Sequence, residues 1–128
     1  MKKFCQKNIR LASYITFSHF IVPKQYSSTL IVSGDRTFLD GVWDILTDMI
    51  RYVGNLADIS LSKNLIMDKA KNNCISRCLA VKDNYEEVAG FCGKDLLVIC
   101  DEPTTPPEHL QVISGYQNTE KLFYVYMR

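Results

Sequence analysis

The spacing of hydrophobic and polar residues predicts helices that alternate with strands along this chain. In residues 35–54, apolar side chains recur at steps of three and four, as on one face of an amphipathic helix. These side chains are Phe38, Val42, Ile45, Leu46, Met49 and Val53. Residues 9–21 show a similar spacing and are soon followed by Pro23, so they predict an earlier helix.

Uninterrupted apolar runs predict buried strands at two places, 28–33 (STLIVS) and 96–100 (LLVIC). A parallel strand that is covered on both faces has such a run instead of strict alternation. Residues 56–82 alternate loosely between polar breaks and predict short strands or hairpin pieces. A last strand is expected at 121–127 (KLFYVYM).

The polar segment 83–95 predicts a loop with a brief helix around Tyr85–Val88, and the segment TPPEHLQVISGYQ predicts a helix with proline in its first turn. This helix should end near Gly115. Helices and strands in this order indicate an α/β sandwich around a mostly parallel sheet.

Composition narrows the class of protein only slightly. A chain of 128 residues suits one domain with one hydrophobic core. With 15 basic and 14 acidic residues, it has no overall basic excess that would indicate nucleic-acid binding. Five cysteines without a CxxC pair favour buried thiols over a disulfide framework. The N-terminal stretch is interrupted by Ser13, Thr16 and Ser18, and no segment matches a signal peptide or membrane span. A cytoplasmic protein is therefore expected.

The acids Asp101 and Glu102 directly follow the buried 96–100 strand. Right-handed crossovers would bring the carboxyl ends of the 28–33 and 96–100 strands to one sheet edge, where such folds bind ligands. In phosphate-hydrolysing P-loop enzymes, an Asp at this position holds Mg²⁺ and a neighbouring Glu accepts a proton from the attacking water. An acid that only caps the next helix, a role open also to Thr104 or Thr105, explains the local pattern equally well.

The flanking sequence, VAGFCGKDLLVICDEPTTPPEHLQVISGYQNTEKLFYVYM, resembles the ATPase domain of phage terminase large subunits, the motors that package viral DNA. The shared features are a glycine-containing approach, an apolar strand, Asp-Glu, a proline-bearing linker, a helix, a glycine-centred turn and another strand. Upstream, YSSTLIVSGDRTFLDGVWDIL resembles the second core strand and the following helix of that family. LASYITFSHFIVPKQ is similar to the helix after its phosphate loop.

This resemblance implies an incomplete three-layer P-loop NTPase sandwich. Asp101 would be the metal-binding acid of the Walker B motif, and Glu102 would be the catalytic base. Mg²⁺ and ATP would be the cofactors. The implied partners are double-stranded DNA, a portal protein, a small terminase subunit and further copies of the chain, in the cytoplasm of a bacterial host.

The phosphate-binding motif GxxxxGK[ST] is not found in the sequence. Lys7, followed by Asn8 where the motif has a hydroxyl, is the candidate for the lysine of this motif, with a coincidental match as the alternative. Arg36 is a second candidate for a phosphate contact, with a solvated position in the first helical turn as the alternative. We therefore expect residues 1–128 to be a single partial ATPase domain from a truncated or split gene product. It would lack the phosphate loop and the nuclease domain and be inactive without a companion chain.

Two other functions fit the same residues. One is a non-catalytic α/β module that binds a partner, and the other is a fragment of a DExx-type helicase domain. The absence of a phosphate loop counts equally against the helicase, and the segment after DEP, with two prolines and HLQVISGYQ, favours the terminase. Genome context, such as neighbouring portal and capsid genes, would separate the three functions.

Overall fold

The computed structural model describes residues 4–21, 28–53, 57–81, 83, 95–114 and 121–128. The α-helices are α1 (Gln6–Ile21), α2 (Arg36–Val53) and α3 (Pro107–Ser114), and a 3-10 helix spans Glu102–Thr104. The strands are β1 (Ser28–Ser33), β2 (Ile59–Leu61), β3 (Leu65–Asp68), β4 (Asn73–Leu79), β5 (Asp95–Asp101) and β6 (Lys121–Met127). The brief helix expected around Tyr85–Val88 lies outside the described residues.

The described strands form one six-stranded sheet in the order β2-β3-β4-β1-β5-β6. Strands β4, β1, β5 and β6 run parallel to one another, whereas β2 and β3 form an antiparallel hairpin that pairs with β4. This arrangement confirms the predicted mostly parallel sheet and the hairpin pieces expected in 56–82. It also explains the unbroken apolar runs, because β1 and β5 lie in the interior of the sheet.

Apolar side chains cover both faces of the sheet and define three layers. On one face, Ile31 and Ile99 belong to a buried cluster that also contains Phe38 and Leu46 of α2. The other face presents a second cluster, to which Leu110 of α3 adds a partly buried side chain. Successive strand residues point to opposite faces, so every apolar residue in these strands has a layer against which to pack.

Helices α1 and α2 lie on the same face and contact each other closely. A side chain at Gly41 would meet Ile9, with a Cβ 3.0 Å from its Cδ1 atom. The buried hydroxyls of Ser13 and Thr16, which interrupt the apolar pattern of α1, donate to backbone carbonyls one turn earlier, at 2.6 and 2.7 Å. Within the described residues, no helix is both long enough and apolar enough to span a membrane.

Candidate functional site: the carboxyl edge of strands β1 and β5

The two central strands end side by side, as the sequence predicted. Strand β1 ends at Ser33 and β5 ends at Asp101, and their pairing aligns Val32 with Cys100. Ser33 and Asp101 each lie two residues beyond a side chain of the α1–α2 face, so both point toward that face. The sheet therefore brings together two polar side chains that are 68 residues apart in the chain.

Asp101 is completely buried, and two hydroxyl groups bind one of its carboxylate oxygens. Thr104 Oγ1 donates to Oδ2 at 2.6 Å, and Ser33 Oγ lies 3.3 Å from the same oxygen. The single hydroxyl proton of Thr104 is committed to that short bond, so Thr104 Oγ1 accepts from the Gly34 amide at 3.0 Å. Ser33 Oγ also has only one proton, which it shares between Asp101 Oδ2 and Thr104 Oγ1, 2.9 Å away. We call Asp101, Ser33, Gly34 and Thr104 the carboxylate cluster.

The other carboxylate oxygen, Oδ1, has less than 1 Å² of accessible surface and no hydrogen-bond partner among the described residues. Burial raises the pKa of Asp101 above its ordinary value, hydrogen bonds from Thr104 and Ser33 act in the opposite direction, and the negative charge of Asp35 raises it further. An unpaired carboxylate oxygen in such a place is unfavourable, which a bound proton or cation would relieve.

Glu102 lies in different surroundings from its neighbour. It begins the 3-10 helix, its side chain is 37% exposed, and Oε2 lies 3.4 Å from the Nε of Arg128. Together with Pro107 and Leu110 of α3, Glu102 and Arg128 line a cavity of about 540 Å³. A largely solvated ion pair of this kind contributes little to stability, so the Glu102 carboxylate is readily available to a ligand.

The starts of α1 and α2 reach the same sheet edge. Met127 pairs with Asp101, and the carbonyl of the next residue, Arg128, accepts a hydrogen bond at 3.3 Å from the buried Asn8 side chain. The adjacent Lys7 is exposed in the first turn of α1.

At α2, Arg36 is the exposed first residue of the helix, and the helix is capped by Asp35, which accepts a hydrogen bond from the Thr37 amide at 2.8 Å. Neither Lys7 nor Arg36 is part of the carboxylate cluster. Lys7 and Arg36 therefore lie at the sheet edge where the site was expected, and both are exposed to solvent. Each is in the first turn of a helix, where the helix dipole favours anions.

The capping explanation of Asp101 finds no support in this geometry. Asp101 precedes the 3-10 helix without making a side-chain capping bond, and its carboxylate is bound by hydroxyls instead of helix amides. Thr104 bonds to the carboxylate, and Thr105 Oγ1 donates to the Asp101 carbonyl at 2.7 Å. Both threonine hydroxyls thus bond to Asp101 and do not cap the start of α3.

Sequence reasoning placed the segment SGDRT, which begins with Ser33 and Gly34, at the expected site edge but assigned these two residues no role. A Cβ atom at Gly34 would overlap the Thr104 carbonyl oxygen, so only glycine allows the loop after β1 to approach the 3-10 helix this closely. A Ser-Gly pair directly after a predicted central strand was the available signal. Nothing in the sequence indicated that Gly34 contacts Thr104, 70 residues later.

Among the described residues, no three His, Cys, Asp or Glu side chains are grouped so that they could hold a metal ion. A search with protein-family models found no match for the chain, and a search of curated proteins found no significant match. The class that fold and site define is therefore an α/β domain with a buried carboxylate at the carboxyl edge of a mostly parallel sheet.

Proposed function

We propose that this chain carries the metal-binding acid and the catalytic base of an ATP-hydrolysing domain similar to that of phage terminase large subunits, which package viral DNA. Its residues do not include the phosphate-binding motif, so the 128 residues alone should not turn over ATP. A companion chain that supplies a phosphate loop would complete the site.

The observation that carries the proposal is the unpartnered Oδ1 of Asp101 at the end of a central strand. A carboxylate kept for structure usually has both oxygens paired, because an unpaired buried oxygen destabilises the fold. Here Oδ2 lies within hydrogen-bond distance of two hydroxyls, whereas Oδ1 has no partner among the described residues. Such an arrangement suits a residue that completes its coordination with a ligand.

The residues present fit Mg²⁺ better than a cation that needs a full protein cage. Mg²⁺ keeps several of its waters and binds through one or two carboxylates together with substrate phosphates. Asp101 would supply that carboxylate through Oδ1, and the metal would offset negative charge on the nucleotide phosphates. Because Oδ1 has almost no accessible surface, an ion reaches it only when neighbouring atoms move aside.

Glu102 is suited to the second role, acceptance of a proton from a water molecule. Its carboxylate is partly exposed beside a cavity, whereas that of Asp101 is buried and bound to hydroxyls. The ion pair with Arg128 does not enclose Glu102, whose side chain stays 37% exposed. The two adjacent acids thus have the separate environments that a ligand and a base require.

Mn²⁺ binding to the purified chain, measured by electron paramagnetic resonance, tests the proposal. Mn²⁺ replaces Mg²⁺ because Mg²⁺ gives no signal in this method. We expect saturable binding that is lost in Asp101→Asn and kept in Glu102→Gln. The exposed acid Asp44 provides a matched control, since Asp44→Asn removes the same charge far from the cluster.

Two results would contradict the proposal. Binding that is equal in the wild type and Asp101→Asn would remove the metal role of Asp101. Measurable ATP turnover by the chain alone, abolished by Asp101→Asn or Glu102→Gln, would show that it needs no companion to supply the phosphate loop.

A partner-binding module is the second candidate, and exposed apolar side chains on α1 and α2 favour it. Tyr14, Tyr52 and Val53 are 55%, 92% and 58% exposed, which is more than their hydrophobicity favours. A purely non-catalytic module would bind Mn²⁺ no better than its Asp101→Asn variant, so the same titration separates the two functions.

A further inference from the structure

We propose that Ser33 and Thr104 are positioning residues that reserve Oδ1 of Asp101 as the single oxygen available to a divalent cation. By occupying Oδ2, they also favour Mg²⁺ and Mn²⁺ over Ca²⁺ at this site. The inference rests on the proposed metal role of Asp101 and adds the residues that control how the carboxylate binds.

Both hydroxyls converge on the same carboxylate oxygen. Thr104 reaches Oδ2 from the 3-10 helix at 2.6 Å, and Ser33 reaches it from the end of β1 at 3.3 Å. Oδ1 receives no hydrogen bond from the described residues. Because hydrogen bonds reach only one of the two oxygens, they fix the rotation of the carboxylate and leave Oδ1 as the oxygen available to a ligand.

The backbone holds the two hydroxyls in place. The Gly34 amide donates to Thr104 Oγ1 at 3.0 Å, and the Asp35 amide donates to Ser33 Oγ at 3.0 Å. Each hydroxyl oxygen thereby accepts a bond from a fixed amide, and the proton of Thr104 stays directed at Asp101. The absence of a Cβ at Gly34 allows the loop after β1 to contact the 3-10 helix after β5.

The choice of ion follows from the number of free oxygens. Ca²⁺ takes six to eight oxygen ligands and often binds a carboxylate through both oxygens, whereas Mg²⁺ takes six and retains water. With Oδ2 held by the short bond from Thr104 and by part of the Ser33 proton, Asp101 can contribute only one oxygen. A bidentate mode would first require the 2.6 Å bond to Thr104 to break.

The test compares Thr104→Val, which keeps the shape of the side chain but removes the hydroxyl, with Thr104→Ser, which keeps the hydroxyl. Dissociation constants for Mn²⁺ are measured by electron paramagnetic resonance, and those for Ca²⁺ by competition against Mn²⁺. We expect Thr104→Val to weaken Mn²⁺ binding about tenfold, as loss of an outer-shell partner does, and to lower the preference for Mn²⁺ over Ca²⁺. Thr104→Ser should retain both properties.

Circular dichroism and thermal unfolding first establish that each variant is folded. If Thr104→Val does not fold, Ser33→Ala takes its place with a smaller expected loss, because its bond to Oδ2 is longer. A purely structural role would change stability without changing the ratio of the Mn²⁺ and Ca²⁺ constants.

The outcomes separate this inference from the proposed function. Asp101-dependent Mn²⁺ binding with unchanged affinity and ion preference in a folded hydroxyl-deleted variant would overturn the positioning role alone. An absence of Asp101-dependent binding in the wild type would overturn both. Weaker binding and reduced ion preference, rescued by Thr104→Ser, would support the positioning role.

Discussion

Two buried polar clusters in this protein differ in how completely their groups are paired. In the first, the largely buried Arg77 of β4 donates to Asp40 Oδ1 at 2.9 Å and to the Lys63 carbonyl at 2.8 Å, and its guanidinium lies 5.1 Å from the ring centroid of Trp43. The Trp43 indole donates to the Ser62 carbonyl at 3.1 Å. We call these residues the arginine cluster. In the carboxylate cluster, by contrast, Asp101 Oδ1 has no partner among the described residues.

The difference separates a structural role from a functional one. The arginine cluster ties the turn between β2 and β3 to α2 and β4, and none of its side-chain atoms is among the buried unpartnered atoms of the described residues. The carboxylate cluster joins β1 to the end of β5 but leaves Asp101 Oδ1 without a partner among the described residues. Since an unpaired buried oxygen lowers stability, its persistence points to a use outside the folding of the chain.

The largest effect should come from Arg77→Ala in the arginine cluster. We expect a loss of about 2–3 kcal/mol in the free energy of unfolding, because the change removes hydrogen bonds, a cation–π contact and buried methylene groups. Urea unfolding measures the loss. Asp40→Asn is the milder control, since Asp40 is 53% exposed and an asparagine side-chain oxygen can still accept a hydrogen bond from Arg77.

Mn²⁺ affinity should be the same in Arg77→Ala and the wild type. A parallel loss of Asp101-dependent Mn²⁺ binding would mean that the two clusters do not act separately, and the comparison would fail.

Gly34→Ala should have the next largest effect. The added Cβ would overlap the backbone carbonyl of Thr104, so the two loops must separate at a cost of about 2 kcal/mol. Gly41→Ala is the milder comparison, because its Cβ would crowd the Ile9 side chain at 3.0 Å and not a backbone carbonyl, and alanine is favoured inside a helix. Thermal unfolding should show a clearly larger drop for Gly34→Ala than for Gly41→Ala, and equal drops would contradict the close approach.

Asp101→Asn should stabilise the protein by about 1 kcal/mol at pH 7 in the absence of metal, because it removes a buried charge with an unpaired oxygen. The raised pKa means that the folded state binds the proton more tightly than the unfolded state. Wild-type stability should therefore fall as the pH rises from the ordinary Asp value of 3.8 through the raised pKa.

The asparagine variant lacks this contribution, so its advantage should be greatest at neutral pH and vanish near pH 3.8 and below. Unfolding followed from pH 3 to pH 8 in EDTA measures the difference. A variant that is less stable than the wild type at pH 7 would show that the ionised Asp101 is well accommodated without a ligand.

The smallest effect concerns Cys100, which lies just before Asp101. Burial raises the pKa of its thiol to about 12, whereas Cys5 is exposed. At pH 8 a thiol reagent should label Cys5 rapidly and Cys100 only when the end of β5 opens. Peptide mapping by mass spectrometry follows both sites. Equal labelling rates would show that the end of β5 is open to solvent on the face covered by α3.

The sequence pattern was sufficient for most of the fold. The three-to-four spacing in α2 and the apolar runs of β1 and β5 are strong local signals, and the structure confirms all three elements. Local pattern could not define the sheet order, because pairing joins segments such as 28–33 and 96–100 that are far apart in the chain. The preference for right-handed crossovers predicted their shared edge but not the contacts made there.

The candidate site was predictable only in part. Asp101 and Glu102 were recognisable as adjacent acids directly after a buried strand, and they were expected to have separate roles, but the pattern said nothing of their surroundings. The structure gives them different surroundings, one buried between hydroxyls and one partly exposed beside Arg128. Lys7 and Arg36 lie at the expected edge, and a role for either in binding phosphate stays a prediction.

The sequence by itself therefore determined the class of fold and the position of the two acids, because periodicity and strand ends depend on residues that are close together in the chain. Only the tertiary structure decided which hydroxyls bind Asp101, which oxygen is left unpaired, and which loop requires glycine. Those properties depend on contacts between Ser33, Gly34 and Thr104 across 70 and 71 residues of chain. Such contacts form only when β1 and β5 pair within the folded sheet.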